Sequence, residues 1–86
     1  MLITRQTIAE TLEAYLRHEL SLKDLVSWAE CSLLDGEIDA QDGVIIREAI
    51  ARLGVADVRA FGLTWEDCEH LLTQLGYSAH IQIVAT

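Results

Sequence analysis

The sequence contains no proline, two cysteines and six basic residues in 86 positions. Without proline the usual marker of a linker is missing, and no repeat or low-complexity stretch divides the chain. Two cysteines are too few for a disulfide scaffold, so we expect Cys31 and Cys68 to be small buried thiols in a reducing compartment. These absences favour a single domain that covers residues 1–86.

Basic residues and long apolar runs are also scarce. Six Lys and Arg against 14 Asp and Glu give a net charge of −8, which repels phosphate backbones and argues against nucleic acid as a partner. No apolar run approaches the length of about 18 residues that a membrane span requires, and Glu10 and Glu13 interrupt the place of a signal peptide's apolar region. The sequence therefore predicts a cytoplasmic protein that binds neither nucleic acid nor membrane.

Helical periodicity is the strongest positive signal. Hydrophobic residues make up 51% of the chain and charged residues 23%, a composition typical of globular domains. Apolar residues recur at helical spacing over residues 22–34, 44–53 and 65–75, and over a first segment that starts at Thr4 or Thr7 and reaches residue 19. Residues 55–61 are interpreted as a single helical turn or an irregular segment that packs on the core. The sequence predicts a mainly α domain with four to five helices.

Local signals mark the helix ends. Three hydroxyl residues each precede an acid by three positions, as an N-cap does: Thr7 with Glu10, Ser21 with Asp24, and Thr64 with Asp67. Gly54 and Gly76 stand where a left-handed residue commonly closes a helix. Ion pairs are expected at helical spacing: Glu13 with Arg17 and Glu48 with Arg52.

Residues 77–86 break the helical pattern, because apolar and polar side chains alternate there with the period of a β-strand. An unpaired strand leaves backbone N–H and C=O groups open to another chain. Leu2 and Ile3 can pair with part of this strand, and two tails in a symmetric antiparallel pair would satisfy more backbone groups. The candidate interface comprises Tyr77, Ala79, His80, Ile81, Gln82, Ile83 and Val84.

Acidic residues form a second candidate surface. No basic residue lies between Lys23 and Arg47. The candidate acidic patch comprises Glu30, Asp35, Glu37, Asp39 and Asp42. Such a patch would speed encounter with a basic partner, although solubility alone also explains it.

The acidic segment resembles a calcium loop only in part. Asp35, Glu37 and Asp39 have the spacing of the first three ligands of an EF-hand. Ala40 stands where that loop needs glycine, and Ile46 stands where it needs a bidentate glutamate. We therefore predict no calcium site.

Catalytic and transition-metal motifs are not found in the sequence either. Cys68 and His70 lie two apart on one helix and project to different sides. No paired metal-ligand spacing, serine nucleophile turn or glycine-rich phosphate loop occurs. We predict no catalytic residues, no metal ligands, no cofactor and no enzymatic activity.

Two segments, SLKDLVSWAE at residues 21–30 and FGLTWEDC at residues 61–68, resemble a group of short bacterial proteins of unknown function. The resemblance spans most of the chain, including the alternating tail, and implies no particular activity. In size, acidity and helical build the chain is also loosely similar to bacterial immunity proteins, which neutralise toxin domains.

The sequence thus favours a non-enzymatic protein–protein interaction module, a small homodimer or adaptor. One alternative is an immunity-type inhibitor of a basic toxin domain. A second alternative, from a different class, is a small hydrolase or metal-dependent enzyme. Trp28 and Trp65 are expected in the core or at its margin, and either residue would anchor an interface if exposed.

Overall fold

The computed structural model describes residues 2–58, 62–80 and 83. The fold is mainly helical, as predicted. Its elements are β1 (Leu2–Ile3), α1 (Arg5–Leu16), α2 (Leu22–Asp35), β2 (Glu37–Ile38), a 3-10 helix (Ala40–Asp42), α3 (Gly43–Gly54) and α4 (Trp65–Gln74). In the described part of the chain, no helix is long and apolar enough to cross a membrane.

The helix starts follow local capping chemistry. Ser21 and Thr64 cap α2 and α4 as predicted, and Asp67 completes a capping box because its carboxylate accepts the Thr64 N–H at 2.9 Å. The predicted cap at Thr7 is wrong. Thr4 caps α1 instead, and the Thr4 and Thr7 hydroxyls each accept the other's backbone N–H at 3.2 Å. In this capping box the Thr7 hydroxyl accepts the N-cap backbone N–H, a role that we expected an acidic side chain to have.

Two helices end at a residue with positive φ. Gly76 follows α4 with φ 91°, as predicted, and Tyr77 N–H donates to Leu72 O at 2.8 Å. His18 follows α1 with φ 63°, and Glu19 N–H donates to Ala14 O at 2.9 Å. Both ends have the hydrogen bonds of a Schellman motif, which usually places glycine at this position.

The prediction that Gly54 closes α3 in a left-handed conformation is wrong. Gly54 is the last residue of α3 and is not among the glycines with positive φ. Beyond it, Ala56 N–H donates to Leu53 O at 3.1 Å and Val58 N–H donates to Val55 O at 3.0 Å. These tight turns continue in the direction of the helix. Gly54 therefore does not need the left-handed conformation that reverses the chain at the end of a helix.

The core forms where the helices pack, most extensively between α2 and α3. Its largest fully buried side chains are Ile3, Ile8, Leu12, Leu25, Ile46, Ile50, Leu53, Leu75 and Cys68. Trp28 packs against its margin. Cys31 is exposed, so its predicted burial is wrong, because it lies on the side of α2 opposite Leu25, Ala29 and Ser32. Leu33 belongs to the apolar stripe that the helical spacing predicts for residues 22–34, but it is 47% exposed, whereas Ser32 is buried.

One predicted ion pair forms and the other does not. Arg17 Nη2 lies 3.3 Å from Glu13 Oε1, as expected. Arg52, which we paired with Glu48, instead places Nη2 3.2 Å from Asp67 Oδ2. The partner comes from the first turn of α4, since the packing of α4 brings that turn to the end of α3.

The acidic segment between α2 and α3 contains structure that the sequence did not indicate. β2 lies there and pairs with β1 in parallel, so that Leu2 lies opposite Glu37 and Ile3 opposite Ile38. Asp39 N–H extends this pairing by donating to Ile3 O at 3.0 Å. The N-terminal segment therefore pairs with this loop.

The C-terminal strand is not confirmed. Residues 77–80 form no strand, and Leu2 and Ile3, the partners considered for them, are paired elsewhere. Ile81, Gln82 and Val84 lie outside the described residues. Ala79 packs against the core cluster, so residues 77–79 leave α4 along the body of the domain.

Candidate functional site

The first candidate surface is the C-terminal tail, residues 77–86. Within it Tyr77 is 40% exposed and Ile83 is 94% exposed, whereas Ala79 is half-buried. Among the four described residues of the predicted interface, Ala79 thus packs on the core, whereas Tyr77, His80 and Ile83 are exposed. An isoleucine with almost all of its side chain in water gains free energy when another surface covers it.

A cleft of about 730 Å³ separates the tail from α1. Trp65 and Tyr77 contribute aromatic surface to it, and Glu13, Arg17 and His80 contribute polar groups. Arg17 is already paired with Glu13, so these two charges are satisfied within the chain. The cleft therefore combines aromatic surface with polar groups.

The second candidate surface is the acidic patch, which the structure divides into two sets. Asp42 lies 3.1 Å from Arg5, and Asp39 accepts the Gln41 N–H at 3.1 Å. These two half-buried carboxylates stabilise the local fold. The other members of the patch are exposed: Glu30, Asp35 and Glu37.

Exposed apolar residues surround the acidic loop, a feature that our sequence analysis missed. The exposed fractions are 53% for Leu2, 47% for Leu33, 83% for Leu34, 72% for Val44 and 40% for Ile45. The available signal was the run of adjacent apolar residues, because two or three consecutive helical positions cannot all face one core. We call Leu2 together with residues 33–45 the hairpin end.

The hairpin end is one place in the fold because residues near the N-terminus connect its parts. A Cβ on Gly36 would overlap Ile3 Cδ1, so the end of α2 lies against β1. Arg5, two residues further on, contacts Asp42 at the start of α3. The end of α2 and the start of α3 therefore meet beside the same three-residue segment.

The surroundings of Cys68 make its thiol unreactive. Burial, and then the neighbouring Asp67 carboxylate, raise the pKa of the Cys68 thiol to about 11, so the thiol is neutral near pH 7 and weakly nucleophilic. The Thr64 backbone N–H lowers the pKa of Asp67, with a further contribution from Arg52. In residues 2–58, 62–80 and 83, no three His, Cys, Asp or Glu residues come together in a group able to hold a metal ion.

Comparisons with known proteins add no relative. No family model matches the sequence, and neither curated proteins nor solved structures give a significant match. The resemblance to short bacterial proteins and the looser likeness to immunity proteins stay predictions. The function proposed next is therefore supported by the surfaces of the chain alone.

Proposed function

We propose that the chain is a non-enzymatic protein–protein interaction module that forms a small homodimer through its tail. The observation that carries this proposal is the 94% exposure of Ile83. Covering a large aliphatic side chain contributes about 1.5–3 kcal/mol. In a two-fold dimer the same contact occurs twice, because both copies use the same patch.

Electrostatics also favours the tail over the acidic patch for self-association. The chain has a net charge of −8, but residues 77–86 contain no Asp, Glu, Lys or Arg. Two copies that meet there bring no like charges of the tail together, whereas contact through the acidic patch would oppose carboxylates. A tail-to-tail contact thus costs less electrostatic energy than a contact between two acidic patches.

Sedimentation equilibrium of the full chain tests the proposal. Over a wide concentration range the mass should rise from the 9.6 kDa of one chain towards twice that value. Ile83→Ser should weaken dimerisation by about 10-fold or more, which corresponds to about 1.4 kcal/mol. Deletion of residues 78–86 should leave a monomer.

Val58→Ser is the matched control, because Val58 is 45% exposed and lies outside both candidate surfaces. It should dimerise like the unmodified chain. A mass of 9.6 kDa at every concentration, or a dimer that is unchanged by Ile83→Ser and by the deletion, would overturn the proposal.

A further inference from the structure

We propose that the hairpin end docks a basic amphipathic segment of another protein. The inference rests on the proposed role as an interaction module and adds a second surface to it, away from the tail. If both hold, a dimer would present two such ends, as an adaptor does. The partner is described by its chemistry: apolar side chains flanked by Lys or Arg.

The apolar half of this surface makes little contribution to the core. On α2 the buried residues Leu25, Ala29 and Ser32 share one face, and Leu34 lies on the opposite face and is 83% exposed. On α3, Val44 is likewise turned away from the buried Ile46 and is 72% exposed. Such side chains suit an apolar partner surface.

The charged half selects a basic partner. Asp35, the last residue of α2, and Glu37 in β2 are exposed, and Glu30 is exposed one turn before Leu34 on α2. Arg5 pairs with Asp42, and among the described residues no salt bridge involves Glu30, Asp35 or Glu37. Arg47 is exposed on the first turns of α3 and would repel a basic side chain of the partner. We therefore expect the partner's Lys or Arg residues to lie near Asp35 and Glu37.

The same charges disfavour other occupants. A second copy docked end to end would oppose Asp35 and Glu37 with their own equivalents, because a two-fold axis pairs identical patches. Anionic partners would meet the same repulsion. A basic segment gains both attraction and apolar burial, and complementary charge also raises its rate of association.

The test uses a fluorescent helix-forming peptide of leucine and lysine, with its binding to the full chain measured by anisotropy. A lysine and serine peptide of equal charge lacks the apolar side chains and therefore tests their contribution. A leucine and glutamate peptide carries the opposite charge and tests the contribution of charge. The leucine and lysine peptide should bind at least about tenfold more tightly than the lysine and serine peptide. The leucine and glutamate peptide should not bind.

Matched variants locate the binding. Asp35→Asn with Glu37→Gln should weaken binding about tenfold, whereas Glu66→Gln with Glu69→Gln, which changes the net charge equally on exposed positions of α4, should have little effect. Equal weakening by the two pairs would mean that only the overall charge attracts the peptide, and it would overturn the inference.

A second comparison tests the apolar component. Leu34→Ser should weaken binding about tenfold, and Val58→Ser should not. Unchanged binding by Leu34→Ser, with the fold verified by its melting curve, would also overturn the inference. Sedimentation of the same samples separates the two proposals, since Ile83→Ser should reduce dimerisation and leave peptide binding intact.

Discussion

The Nε atom of Arg5 lies 3.1 Å from Oδ2 of Asp42, which joins the first residue of α1 to the residue that precedes α3. Its Nη1 atom donates to Leu75 O at 3.2 Å, at the end of α4. One side chain thus connects three helices that are distant in sequence. Half of it is exposed, so each contact is modest in free energy.

Replacing Arg5 should test this connection. We expect Arg5→Met to lower the free energy of unfolding by about 1 kcal/mol, because it removes one partly exposed ion pair and one hydrogen bond. Arg17→Met removes a more exposed pair with Glu13 and should cost less than about 0.5 kcal/mol. Urea unfolding measures both, and equal losses would contradict the connecting role of Arg5.

Gly36 should be the glycine that least tolerates a side chain. Its Cβ would lie 2.6 Å from Ser32 O and would overlap the Ile3 side chain, so Gly36→Ala should destabilise the fold by about 1–3 kcal/mol. Gly43→Ala is the matched control, because a Cβ there meets no atom within 4 Å and the backbone is already helical.

Gly43→Ala should leave the stability unchanged or raise it by up to about 1 kcal/mol, the difference in helix propensity. Denaturation midpoints of the two variants provide the comparison. If Gly36→Ala were as stable as Gly43→Ala, the close packing of β1 on the end of α2 would be wrong.

The two Schellman ends predict opposite effects of substitution. His18 has a φ of 63°, so His18→Gly should raise stability by about 0.5–1 kcal/mol by relieving the left-handed strain. Gly76→Ala should lower stability by about 1–2 kcal/mol for the same reason, and its Cβ would also lie 3.0 Å from Arg5 Nη1. Thermal unfolding of both variants checks the signs, and a destabilised His18→Gly would refute this explanation.

Alkaline pH should weaken the fold through Cys68. Burial raises the pKa of this thiol from 9.0 to about 11 in the folded chain. The unfolded chain therefore loses the proton first, and the contribution is complete below about pH 9 and lost as the pH rises to about 11. The loss over that window should be about 2–3 kcal/mol.

Comparison with Cys68→Ala isolates this contribution. The variant starts from a lower stability, since it leaves a cavity, but its free energy of unfolding should fall less between pH 9 and 11. Cys31→Ala, which removes the exposed thiol, should follow the unmodified chain. Parallel pH profiles for all three proteins would show that Cys68 ionisation does not govern alkaline unfolding.

Features set by neighbouring residues could be predicted from the sequence. The caps at Ser21 and Thr64 depend on residues three positions away, and the Gly76 stop depends on the last turn of α4. The pairing of β1 with β2 could not be predicted, because two residues per strand carry no periodicity and the partners lie 35 positions apart. Arg52 similarly takes its partner from another helix.

The candidate surfaces also combine features that the sequence shows with features that depend on the packing of distant residues. Charge in the acidic patch was visible in the sequence, but the engagement of Asp42 by Arg5 required the packing of α1 beside α3. The exposure of Leu34 and Val44 required the orientation of two helices. The apolar type of a residue does not by itself specify whether its face of the helix is covered.

The most direct test of the central claim is an isotope-filtered NOE measurement on an equimolar mixture of ¹³C-labelled and unlabelled chains. If the chain dimerises through its tail, NOEs should connect the Ile83 methyl groups of labelled chains to tail protons of unlabelled chains. Ile83→Ser should weaken the intermolecular NOEs between the other tail residues, and Val58→Ser should preserve all of them. A spectrum with no intermolecular NOE at residues 77–86, at a concentration where sedimentation shows a dimer, would contradict the claim.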